Sequence, residues 1–176
     1  WVFGYGSLMW QPDFPYIERR SALLKGWHRA HALCSTAAWG SIERPGLILT
    51  LVPGGGCLGT AFRVAPGHWW RTRAYLRRRE VAYRHISVSV ETGRGKITAL
   101  TFAANPGHSR FIGKQSLKTG AQMIAQGEGS KGTSRGYLAG TLAGVRAMGG
   151  QPEPALLQLR AAVNNVLRAA GEQPIP

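Results

Sequence analysis

Hydrophobic residues fall in short runs separated by glycine and proline over the first hundred residues of the chain. Runs that are apolar or alternate with polar residues predict strands, and turn residues bound them. The predicted strands are Val2–Phe3, Arg19–Trp27, His28–Cys34, Gly46–Val52, Cys57–Val64, Ile86–Val90 and Lys96–Ala104. Pro53–Gly56 is typical of a hairpin turn between two of them.

Helical spacing of apolar residues dominates the second half. It predicts helices over His68–Arg79, Leu117–Gln126, Gly136–Gly149 and Pro154–Ala170. Strands therefore come first and most helices later, without the alternation of βαβ units. This order predicts an α+β fold with an antiparallel-rich curled sheet or a small barrel.

Composition narrows the classes of protein that fit. The 176 residues suit a single domain over 1–176, and 24 glycines favour turns and short strands. No apolar run approaches about 18 residues, so we expect no membrane contact. Two cysteines, Cys34 and Cys57, suit a reducing cytoplasm and exclude a disulfide scaffold. The histidines are scattered, and we expect no metal.

The formal charge of +14 leaves three explanations open: nucleic-acid binding, an anionic substrate, or a general bias toward arginine. Six arginines lie between Arg71 and Arg84, which concentrates positive charge locally. No sequence signature of a nucleic-acid-binding fold is present, so no specific nucleic acid is expected. The oligomeric state is not predicted.

The first candidate for chemistry is the segment Val2–Trp10, in which an apolar strand enters the loop Gly4-Tyr5-Gly6-Ser7. Glycine allows close approach of a ligand, and successive amides in such a loop can converge on an anion. Ser7 adds a hydroxyl. An ordinary glycine-rich turn is the alternative, because short Gly-x-Gly patterns are weakly specific.

The second candidate is Glu80, which follows three arginines at the end of a predicted helix. One interpretation is an ion pair with Arg77, three residues earlier, worth a few tenths of a kcal/mol. The other is a general base held between apolar residues and cations. The remaining carboxylates lie in predicted turns or tails, and Glu18 has Arg19 and Arg20 beside it.

Several motifs in order resemble the ChaC family of glutathione-specific γ-glutamylcyclotransferases. They are Phe3–Trp10 with Pro12 and Phe14, Gly26–Arg29, Pro45-Gly46 with Thr50-Leu51, Gly59–Val64, Tyr75-Leu76 with Arg79-Glu80, and the Gly127–Leu138 stretch. The resemblance implies a small mixed β-barrel flanked by helices, cleavage of glutathione to 5-oxoproline and Cys-Gly, and no cofactor. The sequence departs from the family pattern at Ala38–Arg44, Ala82–Arg84 and Ser134–Gly136.

Carried onto this sequence, the resemblance implies that Glu80 is the acid/base. It implies that the γ-glutamyl group is bound by Phe3, Gly4, Tyr5, Gly6, Ser7 and Leu8. Tyr83 and Tyr137 are further candidate contacts. A cation weakens a carboxylate base, so we expect the arginines next to Glu80 to turn away from it. The departures leave open another γ-glutamyl compound as substrate, or an inactive basic binding protein.

Overall fold

Five strands of the computed structural model, which describes residues 1–176, close into a barrel in the order β1-β3-β2-β4-β5. The strands are β1 Val2–Gly4, β2 Glu18–Ser35, β3 Gly46–Arg63, β4 Arg84–Thr92 and β5 Gly95–Ala103. β5 runs parallel to β1 and β3, whereas β1 with β3, β2 with β4, and β4 with β5 are antiparallel. The predicted mixed, largely antiparallel barrel is confirmed.

Two strands are longer than the sequence pattern predicts. The hairpin turn expected at Pro53–Gly56 is wrong, because β3 continues through it, and β2 joins the two strands predicted over residues 19–34. Gly54 and Gly55 have φ of 101° and 69°, and Gly26 in β2 has φ of 79°. Glycine adopts these angles without steric cost, so it changes the local backbone direction here without ending the strand.

The chain divides into two compact units. The first comprises Trp1–Arg29 and Thr50–His108, and it includes helix α1 (Trp69–Arg79). Its core contains large, fully buried side chains from four elements, including Phe3, Phe62, Leu76 and Phe102.

The second unit comprises Ala30–Leu49 and Ser109–Pro176, and its helices pack on one another. They are α2 (Leu117–Gln126), α3 (Ser134–Ala147) and α4 (Pro154–Ala169). A two-stranded ribbon, β6 (Glu128–Gly129) with β7 (Gly132–Thr133), precedes α3. The Ser116 hydroxyl accepts from Thr119 N and the Thr133 hydroxyl from Gly136 N, which caps the starts of α2 and α3.

No helix of this chain is both long enough and apolar enough to cross a lipid bilayer.

The contact between β1 and β3 depends on Gly59. A Cβ at this position would lie 2.4 Å from the Gly4 carbonyl oxygen and 2.5 Å from Phe3 Cζ. Both neighbours are buried, and a backbone oxygen cannot rotate away as a side chain does. Gly59 therefore allows the strand that leads into the Gly4–Ser7 loop to lie against β3.

Gly59→Ala is expected to destabilise the fold by about 1–3 kcal/mol, because the added methyl overpacks a filled contact. Urea unfolding monitored by tryptophan fluorescence measures the change. Gly93→Ala is the matched control, since a Cβ there meets nothing within 4 Å. Equal stability of the two variants would contradict the role given to Gly59.

Candidate functional site

The Gly4–Ser7 loop turns back on itself directly after β1. Ser7–Met9 forms one turn of 3-10 helix, in which Met9 N donates to Gly6 O at 2.9 Å. A Cβ at Gly4 would lie 2.7 Å from Leu8 Cβ, so only glycine permits this close return. The first amides of such a turn have no acceptor within it. The Ser7 and Leu8 amides are the first amides of this turn.

Most of the loop is buried, and Ser7 is the partly exposed member. Phe3 is fully buried, so its ring supports the loop from within the core. Tyr5 is 5% exposed, and its hydroxyl donates to the Phe102 carbonyl in β5 at 2.5 Å. This bond fixes the side chain of Tyr5 against the barrel.

Glu80 lies at the C-terminal end of α1, where the backbone leaves the helical conformation (φ −104°, ψ 36°). Its side chain is 12% exposed, and Oε1 lies 3.0 Å from Arg79 Nε. The prediction that the neighbouring arginines turn away is therefore wrong for Arg79. The alternative interpretation, an ion pair with Arg77, is also wrong: Glu80 pairs with Arg79, because helical i, i+3 geometry does not extend past the helix end.

Arg79 also binds Ser7 in the loop and the residues that follow the loop. Its Nη2 donates to Ser7 Oγ at 3.1 Å. Its Nη1 lies within hydrogen-bond distance of four oxygens, those of the Gln11 and Pro12 carbonyls, Asp13 Oδ2 and the Tyr75 hydroxyl. One guanidinium thus brings together the two segments that the sequence predicts to carry the chemistry.

Asp13 is the one residue other than glycine with a left-handed backbone, with φ of 54°. It was interpreted from the sequence as a solvated turn residue. Its carboxylate instead lies 3.2 Å from Arg79 Nη1, with 39% of the side chain exposed. Aspartate tolerates this backbone region better than most residues do. Glu18, by comparison, pairs with Arg20 as expected, and the hydrogen bond from Arg20 lowers the pKa of that carboxyl.

Tyr83 and Tyr137 lie in different units. Tyr83 is half-buried near Glu80: its amide donates to the Glu80 carbonyl at 3.1 Å, and its ring packs edge-on to Phe102. Tyr137 is buried in the second unit, where its hydroxyl lies 3.4 Å from Leu49 N and its ring contacts Trp39. Substrate contact by either tyrosine stays a prediction.

One departure from the family pattern has a structural role in the second unit. Ser134 is fully buried, and its hydroxyl lies 3.1 Å from both the nitrogen and the oxygen of Leu47. A Cβ at Gly46 would lie 2.9 Å from the same hydroxyl, so the small residues here fit each other. Nothing in the structure explains the departures at Ala82–Arg84.

The other side chains that could bind a metal or act as a nucleophile do not form a second candidate site. No group of three or more His, Cys, Asp or Glu side chains is placed to hold a metal ion. Both cysteines are free; Cys57 is fully buried, and burial raises the pKa of the Cys34 thiol. Cys34 is therefore not an activated nucleophile, and Cys57 is closed off from solvent. The Ser7 hydroxyl accepts from a guanidinium, which cannot serve as a base for it.

Arg79, Asp13 and Tyr75 join the candidate site in the structure, and the sequence did not predict them there. The available signal was the i, i+4 spacing of Tyr75 and Arg79, which places both on one face of α1. Helix periodicity alone does not reveal which distant loop that face covers.

Known proteins resemble this chain over most of its length. A family model described as ChaC-like protein matches residues 1–166. The chain is 33% identical over 142 residues to a glutathione-specific γ-glutamylcyclotransferase of Escherichia coli, with 78% of this chain and 62% of that protein covered. It is 31% identical over 146 residues to glutathione-specific γ-glutamylcyclotransferase 1 of Danio rerio, with 78% and 74% covered.

Solved structures confirm the fold. A crystal structure of a yeast γ-glutamyl cyclotransferase specific to glutathione superimposes with a TM-score of 0.88, covering 94% of this chain and 95% of that one at 22% identity. A second structure, titled γ-glutamyl cyclotransferase, has a TM-score of 0.53 at 17% identity and covers 91% and 85%. At these identities the likeness establishes the architecture alone.

Tyr5→Phe is expected to lower the free energy of unfolding by about 1–2 kcal/mol, because it removes a buried hydrogen bond and keeps the ring. Tyr16→Phe is the control: its ring is 40% exposed and packs on Phe62, and its hydroxyl makes no hydrogen bond. Denaturant unfolding of both variants measures the difference. A Tyr5→Phe protein as stable as the wild type would show that the hydroxyl does not anchor the loop.

Proposed function

The chain belongs to the ChaC family, and we propose that it is a γ-glutamylcyclotransferase that cleaves glutathione to 5-oxoproline and Cys-Gly. The family match over residues 1–166 and the glutathione-specific relatives support this activity. The chain spans 62% of the length of the Escherichia coli relative. The proposal therefore concerns the chemistry of the residues in this chain.

One observation carries the assignment of the site. Arg79 contacts Ser7 Oγ through Nη2 and Glu80 Oε1 through Nε. The Gly4–Ser7 loop and Glu80 therefore lie within reach of one small ligand. We assign the loop to the γ-glutamyl group, with Gly4, Tyr5, Gly6, Ser7 and Leu8 around it and Phe3 behind it. We assign Glu80 as the catalytic acid/base.

The reaction needs a folded substrate and one proton carrier. The α-amine of the γ-glutamyl group attacks its own γ-carbonyl carbon, and a five-membered lactam forms. The amide bond to Cys-Gly then breaks. Glu80 takes a proton as the α-ammonium becomes the attacking amine, and it returns that proton to the departing nitrogen of Cys-Gly. The ring nitrogen loses its second proton after attack, and the released amine of Cys-Gly takes one up, so Glu80 ends as it began. The nucleophile belongs to the substrate, so Ser7 serves only to bind.

Orientation of the substrate contributes more to the rate of cyclisation than proton transfer does. An α-amine has a pKa of about 8 and a free glutamate about 4.3, so this proton transfer costs about 5 kcal/mol before the site adjusts it. Holding amine and carbonyl in attack geometry can supply several kcal/mol. The Ser7 and Leu8 amides are the donors we assign to the substrate α-carboxylate or to the developing oxyanion.

The positive charge fits a small anionic ligand. Glutathione carries two carboxylates, and a basic surface raises the local concentration of anions. We propose no cofactor, no metal, no membrane partner and no specific nucleic acid, with the cytoplasm as the place of action. The oligomeric state is left open.

Glu80→Gln is expected to reduce 5-oxoproline release from glutathione by about 100-fold or more, because the amide neither accepts nor returns the proton. Chromatographic detection of 5-oxoproline and Cys-Gly measures this. Glu43→Gln, on an exposed turn, is the matched control and should retain wild-type rates. Undiminished turnover by Glu80→Gln would remove Glu80 from the mechanism.

A panel of γ-glutamyl compounds tests the substrate separately. Glutathione, γ-glutamylcysteine, γ-glutamylalanine and oxidised glutathione are compared at equal concentration, and glutathione should give the highest kcat/KM. Faster cyclisation of another member would keep the chemistry and change the substrate. Absence of 5-oxoproline from every member, together with salt-sensitive nucleic-acid binding, would favour the basic binding protein.

A further inference from the structure

We propose that Arg79 is a positioning residue that sets the place and the charge of Glu80, with Asp13 as its counter-charge. This inference rests on the proposed function, because the placement of Glu80 matters to turnover only if Glu80 moves a proton. It goes further in giving a cation and a second carboxylate defined parts in the same site.

Burial distinguishes Arg79 from the arginines before it. Its side chain is 11% exposed, whereas Arg77 and Arg78 are exposed and pair with no carboxylate. A buried guanidinium needs acceptors around it, and Arg79 has them on Nε, Nη1 and Nη2. A planar fork with this many partners allows little freedom, so the Glu80 carboxylate is fixed relative to Ser7.

The charge arrangement explains how a cation can contact a base without disabling it. Arg79 lies between two carboxylates, 3.2 Å from Asp13 and 3.0 Å from Glu80. Part of its charge is balanced by Asp13, so its attraction for the Glu80 proton site is weaker than that of an unpaired arginine. The contact therefore orients the Glu80 carboxylate, and Asp13 offsets part of the cation's charge.

The backbone of Asp13 supports a defined role for this carboxylate. A left-handed conformation in a residue other than glycine is unfavourable, and it persists where surrounding contacts determine it. Here the contacts are those of Arg79 with Asp13 Oδ2 and with the two preceding carbonyl oxygens. The turn that ends at Asp13 therefore presents its carboxylate to Arg79, whose side chain is 11% exposed.

Two further titratable groups lie beside Glu80. His85 of β4 lies with Nε2 3.1 Å from the Glu80 carbonyl oxygen, and Tyr83 follows in the same turn. Tyr75 of α1 contacts Arg79 rather than Glu80. Because Arg79 contacts the Glu80 carboxylate directly and Asp13 contacts Arg79, changes to the two should move the titration of Glu80 in opposite directions.

The experiment compares Arg79→Gln, Arg79→Lys and Asp13→Asn with Arg78→Gln as the matched control. Two readouts are taken: kcat and KM for 5-oxoproline release across pH, and the titration of the Glu80 carboxyl by ¹³C NMR. The second readout needs no turnover.

Arg79→Gln should lower kcat/KM by about 10- to 100-fold, because charge-assisted hydrogen bonds are lost. It should move the acid side of the rate profile and the Glu80 titration to higher pH by about one unit. Arg79→Lys should restore the titration but not KM, because an ammonium keeps the charge and lacks the fork. Asp13→Asn should move both to lower pH, and Arg78→Gln should move neither.

The outcomes separate this inference from the proposed function. Slower turnover of Arg79→Gln with an unchanged Glu80 titration would make Arg79 merely structural and overturn the inference. Shifts of the same sign in Arg79→Gln and Asp13→Asn would remove Asp13 as counter-charge. A wild-type protein without turnover, but with opposite titration shifts in the two variants, would keep the electrostatic pairing and reject the proposed function.

Discussion

The guanidinium of Arg79 connects the parts of the first unit that the candidate site requires. The contacting residues of the Gly4–Ser7 loop and of the turn up to Asp13 lie 66 to 72 residues before Arg79, and these two segments and Glu80 each supply an oxygen to this one side chain. A hydrogen bond to a charged group contributes more than a neutral one, and a planar donor also fixes angles. The position of Glu80 therefore depends on the same group that holds the loop.

Support for this arrangement comes from the core on which it lies. Phe102 contributes its carbonyl to the hydroxyl of Tyr5 and its ring to Tyr83 and His85, while Gly59 permits β1 to approach β3 closely. The residues that Arg79 contacts therefore rest on a closely packed core. Such a core limits the movement of side chains that must keep a fixed distance from a small ligand.

Much of the fold could be predicted from the sequence because alternation and helical spacing report burial directly. The strands at Ile86–Val90 and Lys96–Ala104 and the helix at Leu117–Gln126 agree with the structure. The continuous course of β3 through Pro53–Gly56 could not be predicted, because glycine at positive φ serves both turns and bent strands. The ion pair of Glu80 with Arg79 could not be predicted either, because helical spacing no longer applies at the residue where the helix ends.

The bond from Tyr5 to Phe102 spans 97 residues of sequence. Ribosomes add about 5–20 residues per second, so this loop waits about 5–20 seconds after its synthesis for the carbonyl that anchors it. Arg79 also emerges long after Ser7. During that interval β3 and α1 are made before β5, so the apolar segment Val2–Trp10 lacks part of its final neighbours until the end and is exposed to chaperones or to aggregation. The segment made before all its partners is thus among the last to reach its final contacts.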